Sequence, residues 1–200
     1  GVQTCALPIL RLLWPCANKI PKHIGCEGEL ALALAEYPNR KVEARYYLEH
    51  AIADDDPGAD ADFYRRLAVT LRNVPMWPEA AVALQRMIAR LPEPTEADYV
   101  LLAETFQGIP NREADAAAAL HHAFELAPGK LEYLRDEGLL LAQLADRRAE
   151  ALPILERYRA AIHDPEPEKL AHVERQLEIL RAQLGIAAPA RDLNAIGFDG

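Results

Sequence analysis

The chain has 200 residues, of which 50% are hydrophobic and 26% are charged, a composition typical of a folded globular protein rather than a disordered one. Ala and Leu fill most apolar positions and runs of β-branched residues are scarce, which favours helices over strands. The formal net charge of -9 argues against nucleic acid or an anionic membrane as the main partner, and no stretch approaches the roughly 18 to 20 consecutive apolar residues of a membrane-spanning helix.

The first residues, "GVQTCALPI", match without a gap the translation of a common short-read sequencing adapter. We therefore expect 1-9 to be adapter-derived and 10-26 to be a leader of uncertain origin and reading frame. Because we expect adapter-derived residues in place of the native N-terminus, the sequence favours neither the bacterial cytoplasm nor the periplasm as the compartment.

Two cysteines remain once Cys5 is set aside with the adapter segment. Cys16 and Cys26, with His23 nearby, have neither the spacing nor the second ligand pair of a zinc site. We expect two incidental cysteines and no metal.

A fixed period runs through the rest of the sequence. Apolar or small residues recur every 35 or 36 residues, each followed four and seven positions later by further apolar residues, as on one face of an amphipathic helix. This ladder consists of Ala44, Ala80, Ala116 and Ala151; Leu48, Leu84, Leu120 and Leu155; and Ala51, Met87, Ala123 and Tyr158.

A second ladder, with a step of 35 residues, lies just before each of the repeats that begin at Ala80, Ala116 and Ala151. It consists of Tyr64, Tyr99 and Leu134; Leu67, Leu102 and Glu137; Ala68, Ala103 and Gly138; and Leu71, Phe106 and Leu141. Turn signals separate the two ladders, and a proline follows each unit, where it stops the helix because it lacks the N–H that continues one. These prolines are Pro57, Pro92, Pro128 and Pro165. Each unit is predicted to be helix, turn, helix, stop.

This spacing resembles the tetratricopeptide repeat, most closely in "FYRRLAVTL…PEAAVALQRMIARLP" and "DYVLLAETF…ADAAAALHHAFELAP". The resemblance implies an all-α fold: a right-handed α-solenoid of antiparallel helix pairs, with about four repeats over 27-165. The sequence departs from the family in its longer period, in Tyr or Leu where helix A carries Trp, and in Glu137 at a position that is usually Leu. The first helix, "CEGELALALAEYP", lies off the 35-residue ladder.

A closing helix is predicted over 166-185, where one apolar stripe is followed by Gly185, a residue suited to the left-handed conformation that ends a helix. Such a helix would cap the apolar flank of the last repeat. The segment 186-200 has no periodicity, and we expect a loosely ordered tail.

The sequence contains no motif typical of catalysis: no Gly-rich phosphate loop, no His-Glu-x-x-His and no Gly-x-Ser-x-Gly. His121 and His122 are adjacent on a predicted helix and point about 100° apart, so they do not form a chelating pair. "DDDPGADAD" lacks the Gly and the bidentate Glu of a calcium loop, and an Asp that caps the next helix is the simpler interpretation. We predict no enzyme activity, no cofactor and no bound metal.

By resemblance, the first helix of each pair would line a concave groove that binds a partner. The inward positions would be Arg65, Val69, Arg72, Asn73, Val100, Glu104, Gln107, Arg135, Leu139 and Gln143. The arginines of this set offer planar forks of donors that fit carboxylates, and such a groove could hold an extended peptide or the C-terminus of a partner chain. Alternatively, they pair with Glu104, Asp136 or Glu132 across neighbouring repeats.

The sequence therefore predicts a non-catalytic scaffold whose partner is a protein or peptide, with no nucleic acid and no membrane insertion. One alternative is the C-terminal repeat region of a larger enzyme, because "RDEGLLLAQL" and "VERQLEILRAQL" loosely resemble the repeat tails of bacterial transglutaminase-like proteins. Another is a cell-envelope assembly factor, such as the repeat proteins of cytochrome c maturation. The complete gene would distinguish them by an upstream catalytic domain, an anchor or further repeats.

Overall fold

The computed structural model of the protein describes residues 13, 24–53, 55, 57–163 and 166–186. The predicted adapter segment and nearly all of the predicted leader and tail lie outside these residues, as does Pro165. The side chains of the first two residues of the first helix are also outside the description.

Over the described residues, every regular element is helical, which confirms the predicted all-α helical repeat. A short 3-10 helix, Pro38–Arg40, separates the first two α-helices. The α-helices are α1 (Ile24–Ala35), α2 (Lys41–Ala53), α3 (Ala61–Asn73), α4 (Trp77–Arg90), α5 (Glu96–Gln107), α6 (Glu113–Leu126), α7 (Leu131–Gln143), α8 (Arg148–Ala161) and α9 (Pro167–Leu184).

The protein divides into two compact units, Gly1–Leu126 and Ala127–Gly200. In the first unit, α1–α2, α3–α4 and α5–α6 form successive hairpins. Successive hairpins touch through α1 with α3, α2 with α4, and α4 with α5. In the second unit, α7 and α8 form one hairpin, and α9 packs mainly against α8. Each helix therefore covers the apolar stripe of its neighbours within its own unit.

The ends of the helices follow local sequence signals. Asp60, which ends the acidic linker before α3, caps that helix by accepting a hydrogen bond of 2.8 Å from the Phe63 backbone N–H. This is the helix-capping role that the sequence predicts for that linker. Gly185 ends α9 in the left-handed region, with φ of 69°, as predicted.

The first predicted ladder is buried throughout, and the second is buried except at Tyr99, which is half-buried. Ala44, Ala80, Ala116 and Ala151 are all 0% exposed, and the residues four and seven positions later are buried with them. On the first helices of the hairpins, Ala68 and Ala103 are equally buried. Helix α1, which lies off the ladder, buries Leu30, Ala31 and Leu34 instead.

Cys26 corrects one expectation. It is disulfide-bonded and is therefore not an incidental free thiol. Near it, the leader residue Leu13 packs against the cluster of Leu30, Leu34 and Ala44. The first hairpin thus carries a disulfide-bonded cysteine, which the Cys spacing did not indicate.

A close approach within a hairpin occurs at Gly138 of α7. A Cβ at this residue would lie 2.6 Å from Cδ2 and 2.7 Å from Cγ of Leu155 on α8, which is well inside van der Waals contact. Leu155 is 0% exposed, so its side group has no open space to move into. The small position of the second ladder is therefore a steric requirement of the α7–α8 hairpin.

We predict that Gly138→Ala lowers the free energy of unfolding by up to about 2 kcal/mol. The gain in helix propensity, about 1 kcal/mol, is outweighed by overpacking, which costs about 1 to 3 kcal/mol. Urea denaturation followed by circular dichroism measures the change. Gly129→Ala is the matched control, since a Cβ there meets nothing within 4 Å. Equal stability of Gly138→Ala and the wild type would contradict the packing argument.

Candidate functional site

An open depression lies between α1 and α3, the first helices of two neighbouring hairpins in the first unit. It has a volume of about 390 Å³. We call it the α1–α3 depression. Its lining residues are Leu32, Ala35 and Glu36 from the α1 side and Arg66, Val69, Thr70, Asn73 and Val74 from the α3 side.

The depression combines apolar side chains with a few polar groups. Val69 is 47% exposed and, with Leu32 of α1, contributes an apolar side chain to the lining. The exposed side-chain amide of Asn73 makes no hydrogen bond to any other described residue. Thr70, in contrast, donates its hydroxyl to the Arg66 carbonyl at 2.9 Å. Apolar walls beside a polar group that can both donate and accept are typical of binding sites.

Two contacts hold α1 against α3. A Cβ on Gly28 of α1 would overlap the ring of Phe63, so the two helices approach closely at that point because Gly28 has no side chain. Farther along, Arg66 donates two hydrogen bonds to Glu29, one of 3.0 Å from Nη1 to Oε2 and one of 2.5 Å from Nη2 to Oε1. Arg66 also pairs with Asp62 at 3.3 Å. The hydrogen bonds from Arg66 to Glu29 raise the pKa of the guanidinium above its ordinary value.

Two further arginines of α3 pair with carboxylates of α5, on the next hairpin. Nη2 of Arg72 donates to Oε2 of Glu104 at 3.2 Å, and the guanidinium lies 5.6 Å from the centre of the Trp77 ring. Nη2 of Arg65 lies 3.1 Å from Oδ1 of Asp98. The first pair is one that the sequence offered as an alternative to partner binding. The second was not foreseen.

Asp98 also organises the start of α5. Its Oδ2 accepts hydrogen bonds from the Thr95 backbone N–H at 3.0 Å and from the Thr95 hydroxyl at 2.8 Å. Burial alone raises the pKa of this carboxyl, but the hydrogen bonds from Thr95 and the charge of Arg65 outweigh burial, so the pKa lies below its usual range. Asp98 therefore both caps α5 and forms an ion pair with Arg65 of α3.

The structure brings only some of the predicted groove residues together. Val69 and Asn73 line the α1–α3 depression, and Glu104 contacts Arg72. Val100 is half-buried and Gln107 is exposed on α5.

The other three predicted groove residues belong to α7, in the second unit. Nε of Arg135 donates to Oδ1 of its neighbour Asp136 at 2.7 Å, and this bond raises the pKa of the guanidinium. Leu139 is half-buried, and exposed Gln143 donates to the Leu139 carbonyl at 3.4 Å. The pairing of Arg135 with Asp136 lies within one helix and not across repeats.

Sequence reasoning missed the half of the depression that α1 contributes. Leu32, Ala35 and Glu36 follow an i, i+3, i+4 spacing that marks one helical face, which was the available signal. Because α1 lies off the repeat ladder, no position could be transferred to it from the later hairpins. Asp98 was also missed, although "TEAD" has the spacing of a capping box.

No group of three or more His, Cys, Asp or Glu side chains in the described part of the protein is arranged to hold a metal ion. No helix within the described ranges is both long enough and apolar enough to span a membrane.

We predict that Asp98→Ala lowers the free energy of unfolding by about 1 to 2 kcal/mol at pH 7, because the Thr95 N–H loses its acceptor. A carboxyl with a depressed pKa in the folded state stabilises the fold above its unfolded pKa, and this stabilisation is lost as the pH falls through the folded pKa. The difference in the free energy of unfolding between the variant and the wild type should therefore be constant near neutral pH and become smaller below about pH 4.

Urea denaturation at a series of pH values measures this difference. Glu93→Ala, in the exposed α4–α5 loop, is the control and should change stability by less than about 0.5 kcal/mol. If the loss of stability caused by Asp98→Ala is as large in acid as at neutral pH, the ionised carboxylate of Asp98 does not have the stabilising role described above.

Comparison with known proteins finds similarity in structure alone. No family model matches the sequence, and no curated protein matches it. Among solved structures, it is similar to the crystal structure of YrrB, described as a TPR protein with an unusual peptide-binding site. The two proteins are 15% identical, the match covers 88% of this one and 85% of YrrB, and the TM-score is 0.49.

Proposed function

We propose that this protein is a non-catalytic interaction module that binds an extended peptide segment of a partner protein in the α1–α3 depression. The observation that carries the proposal is the open apolar surface around Val69, beside the side-chain amide of Asn73. A solvent-exposed apolar recess with a polar rim is characteristic of interaction sites.

The dimensions of the site favour an extended segment. A volume of about 390 Å³ is at the lower end of the range for small-molecule pockets, about 300 to 1,000 Å³. It accommodates one or two side chains of an extended peptide, with Leu32 and Val69 as apolar contacts. The Asn73 amide offers both donor and acceptor groups, which match the C=O and N–H of a peptide backbone.

The surroundings of the site favour binding without rearrangement. Gly28 allows α3 to pack closely against α1, and the Arg66–Glu29 and Arg72–Glu104 pairs orient side chains between α3 and its neighbouring hairpins. A surface that is already ordered loses less conformational entropy when a ligand binds. The α1–α3 depression is therefore preorganised for a ligand that is itself extended.

We predict that Val69→Glu weakens peptide binding at least about tenfold, because an apolar contact is replaced by a carboxylate that must lose water. The probe is a random peptide library, about 12 residues long, displayed on phage and selected on the full 200-residue protein. Enriched peptides are then synthesised, and their Kd values for wild type and variant are measured by fluorescence polarisation.

Val82→Glu is the matched control. Val82 is 37% exposed on α4 and does not line the depression, so the same substitution there should leave Kd within about twofold. Melting curves of both variants establish that the protein remains folded. Enrichment of no peptide, or equal binding by Val69→Glu and the wild type, would contradict the proposed function.

A further inference from the structure

The charges at the α1–α3 depression are distributed unevenly between paired and unpaired groups. Arg66, the only cation among the described lining residues, donates to both oxygens of Glu29 and also pairs with Asp62. Its donors are thus directed at carboxylates of the protein itself. Within the described residues, the depression holds no arginine that is left for a ligand carboxylate.

The other two arginines of α3 also direct their donors at carboxylates of the protein itself, in this case on α5. Arg65 is paired with Asp98 and Arg72 with Glu104. A ligand carboxylate would have to displace one of these intramolecular partners, and the Asp98 carboxylate is buried and also bound by Thr95. Recognition of a free C-terminal carboxylate, which the sequence suggested, is therefore disfavoured, and so is recognition of an acidic segment.

Glu36 has the opposite character. Its side chain is exposed and lines the depression, and it makes no ion pair or hydrogen bond with any other described residue. No described residue therefore competes with a cation of a ligand for its carboxylate. The net charge of -9 adds a long-range attraction for cationic ligands.

The apolar part of the depression lies directly beside this carboxylate. Ala35 precedes Glu36 in the sequence, and Leu32 is one turn back on α1. Across from them, α3 and the residue after it contribute Val69 and Val74. A ligand that fills this surface presents an aliphatic side chain to the recess and a positive charge to Glu36.

We infer that the partner segment is both basic and apolar, an inference that rests on the proposed function. It is an extended peptide in which an aliphatic residue has a Lys or Arg within one or two positions. The aliphatic residue contacts Leu32 and Val69. The Lys or Arg residue pairs with Glu36, and a peptide group hydrogen-bonds to the Asn73 amide. The pairing with Glu36 sets the charge preference, while the apolar contact supplies most of the affinity.

The test uses peptides enriched from the same random library on the full-length protein, synthesised with either a free or an amidated C-terminus. We expect the enriched peptides to carry Lys or Arg next to an aliphatic residue and to bind equally well in both forms. Glu36→Gln should weaken their binding about 3- to 5-fold, and Glu36→Lys about tenfold. Raising the salt concentration should reduce the effect of either substitution.

Glu93→Lys is the charge control, because Glu93 is exposed, does not line the depression and makes no ion pair with any described residue. It changes the net charge by the same amount as Glu36→Lys and should alter Kd by less than about twofold. Equal weakening by both would show that only the overall charge matters and would overturn the assignment to Glu36.

Two other outcomes would also overturn the inference and leave the proposed function standing. These are enrichment of acidic peptides, or binding that requires a free C-terminal carboxylate, in either case with sensitivity to Val69→Glu but not to Glu36→Lys. Binding that is insensitive to both substitutions would instead contradict the proposed function itself.

Discussion

Close approach between helices at small residues is the constraint on which the rest of this structure depends. At Gly138 the space of a missing Cβ is taken by Leu155, and at Gly28 it is taken by the ring of Phe63. Ala68 and Ala103 occupy buried small positions on the first helices of the other hairpins. Because the hairpins bury their apolar stripes in this way, the opposite face of α3, which carries Val69 and Asn73, is left to solvent. The exposed Val69 and Asn73 are a consequence of this packing.

Ion pairs between hairpins determine what the exposed face presents to a ligand. Arg66 is held by Glu29 of the preceding hairpin, and Arg72 by Glu104 of the following one. Exposed pairs of this kind contribute little to stability, about 0 to 1 kcal/mol each, so their main effect is on orientation and on local charge. They neutralise the arginines, whereas Glu36 at the depression is paired with no residue in the described part of the protein. The chemistry of the site is thus set by pairing across repeats, between residues 37 and 32 positions apart.

Much of the fold could be predicted, because buried positions repeat along the sequence. The step of 35 or 36 residues located the hairpins, and Gly185 located the end of α9. The site was harder, because α1 does not share the spacing of the later helices and its contribution could not be read by analogy. The arginines were identified as surface residues, but whether each met a carboxylate depended on how neighbouring hairpins are set against each other. Arg65 and Asp98 show this, since no local pattern connects them.

Binding in the α1–α3 depression can be tested most directly by locating the bound peptide with NMR chemical-shift perturbation. An enriched library peptide would be titrated into the protein labelled at Leu and Val methyl groups and at Asn side-chain amides. We expect shifts at the methyls of Leu32 and Val69 and at the amide of Asn73, with the exposed methyls of Val42 and Val82 unchanged. Shifts concentrated at Val42 and Val82, with Leu32 and Val69 unaffected, would contradict the assignment of the site.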